Sequence, residues 1–319
     1  MNPKNAISIL LKGAAMGAAN VIPGVSGGTV AFITGIYERL IEALKSFNLD
    51  AARLLLKRQF SDFLKHTDLV FLVLLGLGAV VSIVSIAELL KWAFEHHDTL
   101  VWAFFFGLIA ASIPAVGRMV KTWGIGAISA AAVGLAAAVS MAFLGQAEQN
   151  DNFVYLMLCG VVGVCSMIIP GLSGSFVLLL MGNYQLVMIE SVSQLKSLDL
   201  EAFKVLVPVG IGAVAGLVAL SRILSWLFKN YHDIAVSLIT GFIAGSLAII
   251  WPWKDAKVVE FIKPDGDVKE KVTGYENWRL PDLADPNSWL AIGLIVVGAV
   301  LVILMERSAN LKTDLPETS

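Results

Sequence analysis

Apolar residues fill six long stretches of the chain, Leu69 to Leu90, Leu100 to Val116, Trp123 to Leu144, Val205 to Leu227, Ile234 to Trp253 and Trp289 to Met305, with charge gathered toward their ends. About 20 apolar residues in helical geometry cross the ~30 Å hydrocarbon layer, so each stretch predicts a transmembrane helix. Trp92, Trp102, Trp123, Trp226, Trp251, Trp253 and Trp289, seven of the eight tryptophans, fall near these ends, where an aromatic belt meets the lipid headgroups. Two further apolar segments, Ile7 to Leu44 and Phe153 to Val187, are different in kind. Each is interrupted by a polar, helix-breaking cluster, NVIPGVSGGT and MIIPGLSGS. A continuous helix through Pro23-Gly24 or Pro170-Gly171 would lose hydrogen bonds and meet a ring clash. Both therefore predict re-entrant helical hairpins whose broken backbone is sheltered by protein, with two kinked full spans as the alternative.

The chain also repeats itself. IPGVSGG at Ile22 to Gly28 recurs as IPGLSGS at Ile169 to Ser175, 147 residues later, and GIY at Gly35 to Tyr37 recurs as GNY at Gly182 to Tyr184 with the same offset. GLGAVVSIVSIAELL from Gly76 matches GIGAVAGLVALSRIL from Gly210, and FGLIAAS from Phe106 matches TGFIAGS from Thr240, both 134 residues apart. This order predicts an all-α polytopic membrane protein: one membrane domain over residues 1–319, built from repeats at about 7–145 and 153–306, each a re-entrant hairpin followed by three transmembrane helices. Three crossings reverse the direction in which the second copy starts, so the repeats are expected to be inverted, with their tips meeting near mid-depth.

Composition narrows the function classes. With 57% hydrophobic and 15% charged residues and a mean hydropathy of +0.78, the chain cannot build an ordinary water-facing surface or a separate soluble domain. The net charge of -2 comes with no basic tract, so nucleic acid is not an expected partner. Cys159 and Cys165 form no CxxC motif, and His66, His96, His97 and His232 offer no metal-ligand spacing; neither metal nor cofactor is expected. The N-terminal apolar stretch is broken by Pro and Gly and carries no clear cleavage pattern. Counting the hairpins as zero crossings puts fourteen of 23 basic residues on one side, which predicts both termini in the cytoplasm and residues 254–288 as an ordered or partly ordered polar loop outside. Residues 48–66, mixing Leu49, Phe60, Phe63 and Leu64 with Arg53, Lys57, Arg58 and Lys65, read as an interfacial helix or a simple connector.

The chemistry concentrates at the two breaks. Amides exposed by a turn inside a membrane need a partner, and the first N–H groups of the helix after each turn favour an anion. The candidate binding set is Asn20, Pro23, Gly24, Ser26, Gly27, Gly28 and Thr29 in the first copy and Pro170, Gly171, Ser173, Gly174 and Ser175 in the second, the hydroxyls donating and the glycines allowing close approach. Together they suggest one phosphate-sized site reachable from either side. Helix capping and close helix contact are the structural alternatives for the same residues. No P-loop lysine and no nucleophile–base pair accompanies them. Lys12, Glu38, Arg39, Arg118 and Arg222 are candidates for guiding a headgroup or are solvated boundary charges; Glu88 is the acidic candidate for proton coupling; Tyr37, Asn183 and Tyr184 are candidates for closing the pocket.

The stretches KGAAMGAANVIPGVSGGTVAFITGIYERL, Lys12 to Leu40, and IIPGLSGSFVLLLMGNY, Ile168 to Tyr184, resemble the prokaryotic membrane family catalogued as domain of unknown function 368, described as polyprenyl-phosphate, chiefly undecaprenyl-phosphate, translocases. The resemblance extends over essentially the whole chain. It implies a plasma-membrane flippase, not an enzyme, that returns the lipid carrier's monophosphate from the outer to the inner leaflet, with polyprenyl phosphate and membrane phospholipids as partners. The family's serine-glycine-glycine positions correspond to Ser26, Gly27 and Gly28, with Ser173, Gly174 and Ser175 as counterparts. Where the family often carries an acidic residue this chain has Asn20, which puts proton coupling at that position in doubt. The main rival is a secondary transporter of a small soluble oxyanion or organic acid; a lipid-processing membrane enzyme is a further one.

Overall fold

The computed structural model describes residues 3–21, 27–170, 173–191, 200–262 and 268–313. The chain begins with α1 (Pro3–Val21), the short return helix α2 (Gly27–Ile33) and α3 (Tyr37–Lys45). Asn48 then starts α4 (Leu49–Leu56) by accepting from the Asp50 and Ala51 amides at 2.9 and 3.1 Å, and α5 (Phe60–His66) follows. Asp68, at φ 47°, turns the chain through 66° into α6 (Leu69–Gly117). Next come α7 (Ile125–Phe143), α8 (Phe153–Ile168), the short α9 (Gly174–Leu180) and a π-helical turn at Gln185–Glu190. The remaining elements are α10 (Ala202–Asn230), α11 (His232–Ile250), strands β1 (Asp255–Ile262) and β2 (Val268–Glu276), and α12 (Pro286–Thr313).

Among the described residues, five helical segments are long and apolar enough to cross a membrane, His96–Gly117, α7, α10, α11 and Pro286–Leu304, and α5 with the start of α6 makes a sixth when that bent pair is counted as one. At ~1.5 Å per residue, the 19 residues of α7 or α11 reach about 28 Å, close to the hydrocarbon thickness. Their outward faces are as apolar as their inward ones. Ile125 is 90% exposed and Val214 63%, while Ile243 and Val236 are fully buried. Such a surface is stable only against lipid, so the chain is a multi-pass membrane protein.

The helices meet where glycine replaces a side chain. A Cβ on Gly13 of α1 would run into the Leu75 carbonyl of α6, and one on Gly78 of α6 into the Leu10 carbonyl of α1. The same arrangement joins α8 to α10, with Gly160 against the Val209 carbonyl and Gly212 against the Met157 carbonyl. Gly107 of α6 meets Ile295 of α12 and Gly298 meets Phe104; Gly241 of α11 meets Ala131 of α7 and Gly134 meets Leu238. Removing the side chain lets two backbones approach to contact, which gives association without a hydrophobic driving force inside lipid. These contacts correspond pair by pair, at sequence offsets of 147, 134 and 164 residues.

Local geometry follows the same offsets. Gly35 (φ 69°) and Gly182 (φ 76°) end α2 and α9 in the left-handed conformation that glycine adopts without strain. The Ile36 amide donates to the Ala31 carbonyl at 2.9 Å, as the Asn183 amide does to the Leu178 carbonyl at 3.1 Å. His97, inside α6, has φ -146° and ψ 44°; Tyr231, between α10 and α11, has φ -140° and ψ 50°. The apolar stretches Leu69 to Leu90 and Leu100 to Val116 are thus one bent helix, parted at a single residue.

The fold is mostly helical, with one short two-stranded element in the polar segment. Residues 254–288 contain an antiparallel β-hairpin, β1 pairing with β2 from Asp255 opposite Glu276 to Ile262 opposite Val268. Val258, Val259, Val268, Val272 and Thr273 supply β-branched residues that favour strands, and an irregularity at Lys257/Val258 adds twist.

Candidate functional site

The first hairpin is held shut by side chains of its long helix. Asn20, on the last turn of α1, accepts the Gly27 amide at 2.8 Å, and Lys12 donates to the Thr34 carbonyl at 2.8 Å beyond the other end of α2. An acceptor at the N-terminus and a cation at the C-terminus match the direction of the backbone dipoles. Lys12, expected near the membrane surface as a guide for a headgroup, is therefore engaged in hairpin closure. Gly27, Gly28 and Thr29 are buried, while Asn20 is exposed. Pro23, Gly24 and Ser26 lie outside the described residues.

The second hairpin closes by fit. Gly174 is buried beneath the Met167 side chain, and a Cβ there would stand 2.7 Å from the Gly163 carbonyl of α8. Pro170 is buried at the end of α8; Gly171 lies outside the described residues. Ser173 starts α9 in extended backbone but makes no side-chain capping bond. Its hydroxyl lies 3.0 Å from that of Ser175, which is exposed. The capping alternative for Ser173 is thus not realised, and a pair of hydroxyls faces outward from the tip.

Two elements bring the hairpins together. α2 lies against α8, and the buried Tyr37 hydroxyl donates to the Ile168 carbonyl at 3.2 Å, two residues before Pro170. The Tyr37 ring is centred 4.9 Å from Phe32 and 5.8 Å from Phe228, so its position is set by α2 and α10 together. Both return helices have only seven residues. Two turns align few peptide dipoles, and one of the leading amides of α2 is already bound by Asn20, so the helix-terminus field expected from sequence is modest and the hydroxyls gain weight.

Other candidates go elsewhere. Asn183 is fully buried and clamps the extended segment before α8: its Nδ2 donates to the Asn150 carbonyl at 2.7 Å and its Oδ1 accepts the Asn150 amide at 2.9 Å. Tyr184 is half-buried beside it, at the start of the π-helical turn. Arg39 forms a two-pronged pair with Asp68 at 2.7 and 3.1 Å and stacks 4.2 Å over Phe71, bracing the corner between α5 and α6. Glu38 stands 3.5 Å from His232. Arg118 caps α6 and Arg222 is exposed on α10; the Glu88 side chain lies outside the described residues. Sequence reasoning missed a polar knot between α3 and α10, where Glu42 accepts from Ser225, Lys45 donates to Ser225 at 2.6 Å, and Lys229 lies 3.5 Å from Glu42. Its only sequence signal was the Glu42/Lys45 spacing on one helical face.

Comparison with known proteins fits this picture. The VCA0040-like family, described as undecaprenyl phosphate translocase-like, matches residues 16–265. The polyprenyl-phosphate transporter of Vibrio cholerae serotype O1 is 33% identical over 311 residues, covering 96% of this chain and 98% of that protein. The polyprenyl-phosphate transporter of Staphylococcus aureus is 26% identical over 262 residues, covering 78% and 88%. No solved structure matches the chain.

Proposed function

Since the chain belongs to the undecaprenyl phosphate translocase-like family, we propose that it carries polyprenyl monophosphate from the outer to the inner leaflet of a prokaryotic plasma membrane, so that the lipid carrier can be reused. The observation that carries this reading is the joining of the two hairpins through Tyr37 and the Ile168 carbonyl. The headgroup sits between them. Ser173 and Ser175 donate hydroxyls from one side, with Thr29 on the other; Ser26 is the further hydroxyl donor that the sequence motif offers. The prenyl tail stays in lipid, so only the phosphate must be sheltered from hydrocarbon.

The tips belong to two inverted repeats, residues 7–145 and 153–306. Support for that comes from the matched glycine contacts, the paired left-handed glycines, and the shared backbone angles at His97 and Tyr231. Inversion lets one site face each leaflet in turn. Both termini lie in the cytoplasm and the β-hairpin lies outside. No bond in the lipid changes; transfer is driven by the lipid's gradient, by its consumption at the inner face, or by an ion.

The test is transfer in liposomes holding the purified protein. Protein-dependent movement of polyprenyl monophosphate between leaflets, without release of inorganic phosphate, is expected. Uptake of soluble phosphate or another oxyanion without lipid transfer would replace this reading with the small-anion one, and phosphate release would make the protein an enzyme.

A further inference from the structure

The region where the β-hairpin meets the helix bundle holds two features that the tips do not use. The first is a groove of about 440 Å³ lined by Phe106, Leu247, Ala248, Trp251, Trp278 and Leu280. Its volume falls in the ~300–1,000 Å³ range of pockets that bury small ligands. Both indoles spend their N–H groups on backbone: Trp251 Nε1 donates to the Arg279 carbonyl and Trp278 Nε1 to the Ala248 carbonyl, each at 2.9 Å. The groove therefore offers an occupant ring faces and aliphatic carbon. A polar solute would lose its hydration there without replacement, whereas a hydrocarbon chain would not.

The second feature is cationic. Arg279 lies on the groove wall; one of its N–H groups reaches Asp255 at 2.6 Å in an exposed pair, and a guanidinium has five N–H donors in all. Lys254, only 8% exposed, sits behind Trp251. Its ammonium donates to the Trp251 carbonyl at 2.7 Å and lies 3.9 Å over the Trp102 ring and 4.4 Å over the Tyr275 ring. It forms no ion pair with a described residue. Burial draws the pKa of the amine down to about 7, with the more distant Asp98 carboxylate pulling the other way. A buried ammonium without a counter-anion destabilises a fold, even when aromatic rings offset part of the penalty. An arriving phosphate dianion would favour the protonated amine that burial disfavours.

We propose that the groove, Arg279 and Lys254 form a loading site for polyprenyl monophosphate, with the first isoprene units along Trp251 and Trp278 and the phosphate drawn to the two cations. This rests on the lipid reading above and adds a second stop, built from residues other than the hairpin tips. An apolar slot with the Arg279 guanidinium on its wall and the Lys254 amine behind Trp251 complements both parts of that ligand. Flat ring faces also suit a methyl-branched, unsaturated chain.

A photoactivatable polyprenyl monophosphate, reactive near its first isoprene unit, tests the site on the full chain in phosphatidylcholine nanodiscs. Cross-links mapped by mass spectrometry should fall on residues 247–251 and 278–280, and unlabelled polyprenyl monophosphate should compete at least tenfold better than phosphatidylglycerol. Ala248→Phe, which fills the groove, should cut labelling at least tenfold. Lys254→Met and Arg279→Gln leave the backbone bonds between Trp251, Trp253 and Arg279 in place; each should cut labelling about three- to tenfold while labelling by a matching polyprenol probe persists. Lys254→Met also removes a buried charge, so its unfolding temperature should be no lower than that of the parent, which separates lipid recognition from support of the fold. Equal competition by phosphatidylglycerol would make the groove a seat for ordinary boundary lipid, and unchanged labelling in Ala248→Phe would remove the site. Leaflet transfer by the parent protein without groove labelling overturns the loading site alone, whereas absence of both transfer and lipid competition overturns the lipid reading itself.

Discussion

The two hairpins share a motif but close differently. In the first, Asn20 and Lys12 reach across from α1 to bind both ends of the return helix, so these two polar side chains are taken up in closure. In the second, Gly174 presses against α8 through backbone and the Met167 side chain, and the Ser173 and Ser175 hydroxyls face outward. One sequence pattern thus serves two tasks. Where closure is made by side chains, few are left for a ligand; where glycine makes it, the hydroxyls remain available. The second tip should therefore matter more for holding a headgroup and the first more for keeping the fold.

The largest effect is expected where both copies depend on the same contact. Gly13→Leu or Gly160→Leu drives a side chain into a facing carbonyl and should destabilise the bundle by about 3 kcal/mol or more, read as a loss of monodisperse protein and an earlier thermal transition in detergent. Next, Ser173→Ala with Ser175→Ala should slow lipid transfer about tenfold, the equivalent of roughly 1.4 kcal/mol of barrier, without moving the unfolding temperature. If transfer is unchanged, the hydroxyls are not headgroup donors and the functional contrast between the tips disappears. Asn20→Ala should show the reverse balance, costing about 1 kcal/mol of stability through the lost cap, with a smaller change in transfer rate. Tyr37→Phe removes one hydrogen bond between the hairpins, about 0.5–1.5 kcal/mol; a double-mutant cycle with Phe32→Leu should separate it from ring contact.

How far these regions were readable from sequence depended on how local their physics is. Pro23 and Pro170 break a helix wherever they stand, and apolar runs of membrane length announce themselves, so the spans and breaks were legible. Gly35 and Gly182 were visible as a repeated motif, though not as matching left-handed turns. Pairing between distant residues was not legible. Nothing in the chain says that Tyr37 finds Ile168, that Arg39 is taken by Asp68, or that Asn183 serves the Asn150 backbone. Polar residues near a motif look alike in sequence whether they hold the fold or a ligand. Lys254 gave no signal for a similar reason: in a run of mixed charges a lysine looks solvated, and only the fold surrounds it with Trp102 and Tyr275.

The glycine contacts also decide what can move. α7 is locked to α11, and α12 to the later part of α6. Neither pair can part without breaking contacts made backbone to backbone. These four segments make a rigid frame. Outside it, α1 packs on the first part of α6, Gly13 on Leu75, and α8 packs on α10, Gly160 on Val209; these two units are tied to each other by Tyr37 on the Ile168 carbonyl and by Ser225 on Glu42. A displacement of one hairpin is therefore transmitted to the other.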